Sequence, residues 1–515
     1  MNNKNFEANT YLTTKENDDI INQLTNKYSR DNFLKLVGLI FNDFKEEEKT
    51  EDSDYPKCEF DRNEESFKSI FEVFESITKI GTCQLKCEDS PTNLENNRII
   101  WPDLFVFEVR LSETGQKQRI KFTQAIYKAM DAMGAYTSLI AFVDPDENTY
   151  RYSLLVISYD INEKSHKLNK LPPELHRYSY NLGIGAKTQT IAKFLINVAE
   201  KVNTVQELMA RFSVDAVNKE FYKKIADEFN KLIPMESDGI IFEYKDLKIK
   251  NILTSRSYSE FAVRLIGRIV FCWFLKEKKS SHGIPLVSDA LLSVNSVEKN
   301  KGYYHSVLEP LFFEALNTEQ DKRKERFKND ENYKLVPFLN GGLFSPDVND
   351  FYGLDNITIN DEWFSRFFSI LSQYNFTVDE NTSAIVDLSI DPEMLGRIFE
   401  NLLAEVNVND EDEKKSIKKS TGSYYTPREI VDFMVDSALL EFIKEKTKIS
   451  EEKLSSVLNS IDKSNMTKDE KESINISDYE KKEILKCLHK VTIFDPACGS
   501  GAFPIGLLQK IVYIL

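Results

Sequence analysis

Apolar residues first recur at helical spacing between residues 31 and 44, where Phe33, Leu34, Leu36, Val37, Leu39, Ile40, Phe41 and Phe44 mark one amphipathic helix. Residues 45–57 are acidic and poor in apolar side chains, which reads as a loop. The period then changes. Residues 104–111 (Leu-Phe-Val-Phe-Glu-Val-Arg-Leu) carry a strong strand pattern, and residues 82–85 a weaker one. Residues 116–133 return to helical spacing. Residues 137–143 and 150–158 then read as two strands joined by the turn Asp144-Pro145-Asp146-Glu147-Asn148. Beyond residue 162 long helical patterns dominate, among them the apolar segment 264–276 with Arg264 and Arg268 one turn apart. That segment predicts a buried helix with solvated basic flanks. Residues 441–490, rich in Lys, Glu and Ser, predict an exposed helical insertion.

Length and composition narrow the class. A chain of 515 residues exceeds what one hydrophobic core normally serves. Its 41% hydrophobic and 29% charged residues are those of a soluble protein, and 35 Phe and 22 Tyr supply core material. No apolar run approaches the roughly twenty residues of a membrane span. The start Met1-Asn2-Asn3-Lys4-Asn5 lacks the apolar core of a signal peptide, so the expected location is cytoplasmic and no membrane partner is expected. The six cysteines (58, 83, 87, 272, 487 and 498) show no paired zinc-site spacing, and no metal site is expected from them. The net charge of −16 argues against a large basic nucleic-acid surface, although a local basic cleft is compatible with it.

The chemistry concentrates in two segments. Residues 494–503 read Phe-Asp-Pro-Ala-Cys-Gly-Ser-Gly-Ala-Phe. The apolar run 491–494 before them predicts a short buried strand, and the apolar residues from Pro504 onward predict a helix. A strand, a glycine turn and a helix let backbone pass close beneath a nucleotide-like ligand. Asp495 suits an ammonium group, and the helix N-terminus suits a carboxylate. Cys498 reads as a small packing residue. Upstream stands Ser420-Thr421-Gly422-Ser423-Tyr424-Tyr425-Thr426-Pro427-Arg428-Glu429. There Thr426 is placed to cap a helix, and Pro427 fits its first position.

Together the two segments resemble the S-adenosylmethionine motifs of the N6-adenine DNA methyltransferases, and more narrowly the large single-chain restriction–modification methylases of the type IIG and BREX-like kind. The resemblance implies S-adenosylmethionine as cofactor. It implies that Tyr424, Tyr425, Thr426 and Pro427 cover its methionine part, and that Asp495, Pro496, Ala497, Gly499 and Gly501 form the loop beneath. The family also uses an [N/D]-P-P-[Y/F] segment to hold a flipped adenine. This chain has none, and it also lacks an acidic residue about twenty positions past the loop for the ribose. It therefore reads as the N-terminal portion of a larger enzyme, inactive alone in methyl transfer. Double-stranded DNA would be read mainly by the missing part, with further defence-system subunits as partners.

The first domain resembles a restriction-endonuclease-like core. A P-D-(D/E)-x-K nuclease uses two carboxylates to hold Mg2+ and a lysine to orient water. The candidates are Asp103, Glu108 and Arg110, with Asp89 as a substitute for the first carboxylate. Glu108 and Arg110 share a strand face. Two departures mark the site as degenerate: arginine replaces lysine and cannot deprotonate, and Asp103 falls close before Glu108. Mg2+ is expected only if this domain is active. A strand carrying a surface Glu–Arg salt bridge accounts for the same letters.

The fold expected is an α/β multidomain chain. Residues 1–160 form the degenerate nuclease-like α/β domain, 161–415 a mainly helical connector, and 416–515 the truncated start of a Rossmann-like methyltransferase domain with its insertion at 441–490. The expected activity of the parent protein is adenine-N6 DNA methylation. The alternatives are a bifunctional restriction endonuclease–methyltransferase and a non-catalytic docking half of a split methyltransferase.

Overall fold

A computed structural model of the chain describes residues 14–50, 54–61, 64, 67–86, 98–113, 119–162, 167–168, 174–198, 200–237, 240–250, 252, 255–278, 284–339, 342–352, 356–377, 385–390, 394, 396, 398, 402, 426, 428–458, 476–496, 498 and 501–514. The chain divides into two compact units. The first comprises Met1–Ser213, Thr382–Leu388 and Thr426–Leu515; the second comprises Val214–Asn381 and Ser389–Tyr425.

The first unit is built on a mixed sheet. Its strands are β1 (Lys45–Glu46), β2 (Phe74–Gln84), β3 (Arg98–Ile99), β4 (Asp103–Leu111), β5 (Thr137–Val143), β6 (Thr149–Asn162), β7 (Lys167–Leu168) and β8 (Glu174–Gly183). The order is β1-β2-β4-β5-β6-β8, completed by the strand Ile385–Asp387, with β3 and β7 on β6. β4 and β5 are parallel, as their crossover helix Arg119–Ala132 requires. β2–β4, β5–β6 and β6–β8 are antiparallel, and Ile385–Asp387 lies parallel to β8. The helix expected at 31–44 is Arg30–Ile40, the one expected at 116–133 is Arg119–Ala132, and the expected hairpin is β5–β6; the short helix Lys68–Val73 before β2 is an addition.

The two sheet faces are covered differently. Phe107, Val109, Leu111, Ile140, Phe142, Leu155 and Ile157 pack with Phe122, Ile126 and Met130 of the crossover helix and with Ile70 and Val73 of Lys68–Val73. The alternate residues of β4 and β6 face the N-terminal helices Lys15–Gln23 and Arg30–Ile40. Phe33 meets Tyr152 with ring centroids 4.8 Å apart, and Tyr28 meets Tyr150 at 5.4 Å. Both faces of β4 and β5 are therefore buried, which explains their nearly unbroken apolar runs.

Three sequence expectations are corrected here. β2 begins at Phe74, well before residue 82, because its register shifts at Phe74/Ser76 and Lys79/Gly81 break the two-residue alternation that marks a strand. The boundary expected at residue 160 falls instead after Ser213: β8, placed in the helical connector by its sequence, pairs along β6 from Glu174 to Gly183. The short buried strand expected at 491–494 is coil, with Phe494 87% exposed. No described strand lies beside it to take its backbone hydrogen bonds, and an isolated strand has no other source of stability.

The second unit is mainly helical, with Val214–Leu232, Ser255–Glu277 and Asp361–Leu371 as its long helices and two small two-stranded sheets. Arg268 is buried rather than solvated. It grips Asp350 through two bonds of 2.8 and 2.7 Å while Arg264 adds a third at 3.0 Å. A buried carboxylate needs such partners. Among the described residues no helix is long and apolar enough to cross a membrane.

Candidate functional site

The two cofactor-like segments each lead into a helix. Thr426 is half-buried just before the helix Arg428–Thr447. Tyr424, Tyr425 and Pro427 lie outside the described residues. In the second segment Asp495 is half-buried and Pro496 exposed, while Ala497 and Gly499 lie outside the described residues. Gly501 takes φ +84°, a region open to glycine and strained for other residues. Its N–H donates to the carbonyl of Cys498 at 2.8 Å, and its own carbonyl accepts from Ile505 N–H at 3.0 Å. Gly501 thus turns the chain and opens the helix Ala502–Ile514.

These two helices pack side by side. Gly506 faces Val431 so closely that an added Cβ would stand 2.7 Å from its Cγ1. Further on, Lys510 Nζ meets Asp436 Oδ1 at 2.7 Å. The contacts advance in the same direction along both helices, so the helices run parallel and their N-termini share one end. Thr426 and Gly501 are brought to that end together. Two parallel helix dipoles there turn their positive ends to a common neighbourhood, a setting that favours an anionic group. The helices Glu451–Leu458 and Asp478–Leu488 support the pair through Ile443, Leu454, Leu458, Ile484 and Leu488.

The nuclease candidates are arranged otherwise. Asp103 opens β4 and is exposed, five residues before Glu108 on the same regular strand; an odd separation puts the two on opposite faces. Glu108 and Arg110 do meet, at 3.3 Å. This is no surface pair, since Glu108 is only 1% exposed. Tyr28 donates its hydroxyl to Glu108 Oε2 at 2.8 Å, and Arg30 forks onto both oxygens at 2.7 and 2.6 Å. Arg30 also binds Asp54, and Arg110 binds Glu147 at 2.7 Å. Burial alone would raise the Glu108 pKa; the Arg30 and Tyr28 hydrogen bonds and the Arg30 and Arg110 charges outweigh it and hold the carboxyl below its usual range. Burial and the adjacent Glu108 charge push the Tyr28 hydroxyl well up. Asp89 lies outside the described residues. Sequence reading missed Tyr28, Arg30, Asp54 and Glu147, whose only signal is that a glutamate inside an apolar strand needs partners from somewhere.

No protein-family model matches the chain, and no solved structure matches it. It is similar to a protein of Methanocaldococcus jannaschii provisionally named as a type II restriction enzyme and methyltransferase, with 32% identity over 270 residues. The matched stretch covers 50% of this chain and 21% of that protein. Restriction and methyl transfer are the activities in that relative's name.

Proposed function

We propose that this chain carries the S-adenosylmethionine-binding opening of an adenine-N6 DNA methyltransferase from a restriction–modification or phage-defence system. The observation that carries this reading is the convergence of the two motif-bearing helix N-termini, joined by the Val431–Gly506 and Asp436–Lys510 contacts. The similarity to a named restriction enzyme and methyltransferase supports it.

The turn at Gly501 suits such a cofactor. An added Cβ at Gly501 would meet nothing nearer than the Ile505 side chain at 3.8 Å, so the glycine is demanded by backbone shape rather than by crowding. Asp495 holds the ammonium group, the helix N-terminus at Gly501 takes the carboxylate, and Tyr424, Tyr425, Thr426 and Pro427 cover the methionine chain. A bound S-adenosylmethionine supplies an electrophilic methyl group. The role of this chain is to orient that group, since transfer to a positioned amine gains mostly from proximity and alignment.

Calorimetric titration of S-adenosylmethionine into the protein tests the proposal. Saturable binding is expected, weakened at least tenfold by Asp495→Ala and unchanged by Asp103→Ala. Equal affinity in the wild type and Asp495→Ala would reject the assignment. A second reading, a bifunctional endonuclease–methyltransferase, is favoured by the relative's name, and Mg2+-dependent cleavage by the purified protein would reveal it.

A further inference from the structure

Among the described residues Glu108 is the one candidate metal ligand of the sheet that is buried among charged partners, so its coordination is informative. A carboxylate offers about four lone-pair sites. Glu108 has a donor at each oxygen twice over: Tyr28 Oη and Arg30 Nε on Oε2, Arg30 Nη2 and Arg110 Nε on Oε1. Both guanidiniums are themselves held, Arg30 by Asp54 and Arg110 by Glu147. The backbone closes the ring, because Tyr28 N–H donates to the Glu147 carbonyl at 2.9 Å. The ring therefore ties β4, the β5–β6 turn, the Asp54 segment and the start of the N-terminal helix Arg30–Ile40 into one unit.

Mg2+ does not fit this arrangement. It requires near-octahedral oxygen ligands at about 2.1 Å and keeps several waters. Reaching Glu108 would mean displacing a guanidinium and settling beside two fixed positive charges. Asp103 faces the other side of the sheet, and among the described residues no group of three or more His, Cys, Asp or Glu side chains could hold a metal ion.

We infer that Glu108 is the anionic hub of a buried guanidinium lock fastening the N-terminal helices to the sheet, and that it does not bind a divalent metal. Any cutting by the protein must use other carboxylates. The inference is independent of the methyl-transfer reading, because the lock and the cofactor loop share no residue.

Counting Mn2+ bound to the full chain by electron paramagnetic resonance, alongside thermal melting, tests it. Wild type and Glu108→Gln should bind the same number of ions. Glu108→Gln and Arg30→Gln should each melt several degrees lower, and the double variant should fall by less than their sum, as coupled partners do. One Mn2+ fewer in Glu108→Gln at unchanged melting temperature would overturn the inference, and so would additive losses. If Glu108→Gln does not fold, Arg30→Lys decides: it keeps the charge but removes the fork, so a lowered melting temperature is expected and an unchanged one would overturn the lock.

Discussion

Protonating Glu108 should loosen the first unit. Its folded pKa lies below its unfolded value because the Arg30 and Tyr28 hydrogen bonds and the Arg30 and Arg110 charges overcome the desolvation of burial. The stabilisation is therefore complete above the unfolded value, about pH 4.3, and is lost as pH falls through the folded one. Melting curves of wild type and Glu108→Gln should stay a constant distance apart near neutral pH and converge below about pH 4.3. A gap that persists unchanged in acid would show that the variant acts by repacking rather than by charge. At this scale the sequence was half legible. The i, i+2 rule paired Glu108 with Arg110, but Arg30 and Tyr28 stand 78 and 80 residues away, where no local pattern reports them. Arg264 and Arg268 show the same limit. Their spacing was visible, but the burial of Arg268 depends on Asp350, supplied 82 residues later.

Between elements, the approach of Ala502–Ile514 to Arg428–Thr447 rests on a missing side chain. Gly506→Ala would push a Cβ to 2.7 Å from Val431 Cγ1, closer than real contacts allow. Overpacking of this kind costs about 1–3 kcal/mol. Denaturant unfolding should show that loss, and Val431→Ala in the same chain should recover most of it. No recovery would mean that Gly506 serves its own helix rather than the pair. A helix does follow each motif, from Arg428 and from Ala502, and the glycine turn announced the second because a positive φ is a local demand. The run 491–494 misled because a strand is defined by its neighbours. β8 misled for a related reason: Leu175, Tyr180 and Leu182 are buried by β6 and its surroundings, and a mixed polar sequence such as His176-Arg177-Tyr178-Ser179 does not announce them. Nor could the alternation in β2 survive two register shifts.

Over the whole chain, the first unit is interrupted in sequence by the second. Its sheet receives Ile385–Asp387 only after the residues of Val214–Asn381 have intervened. Composition could not show this return. The segment is three residues long as a strand, and its partner is the stretch Arg177–Ser179. The charge of −16 is equally silent about it, because backbone hydrogen bonds make the join. Timing during synthesis follows from the gap. At about 5–20 residues per second on the ribosome, the roughly 200 residues between β8 and its partner take about 10–40 s to make. For that interval the newborn sheet ends in β8 with one row of amide and carbonyl groups open, the kind of edge that recruits another strand. A chain stopped at residue 213 would keep that edge indefinitely. Light scattering should find it self-associating, and a peptide spanning residues 382–388 should suppress the association.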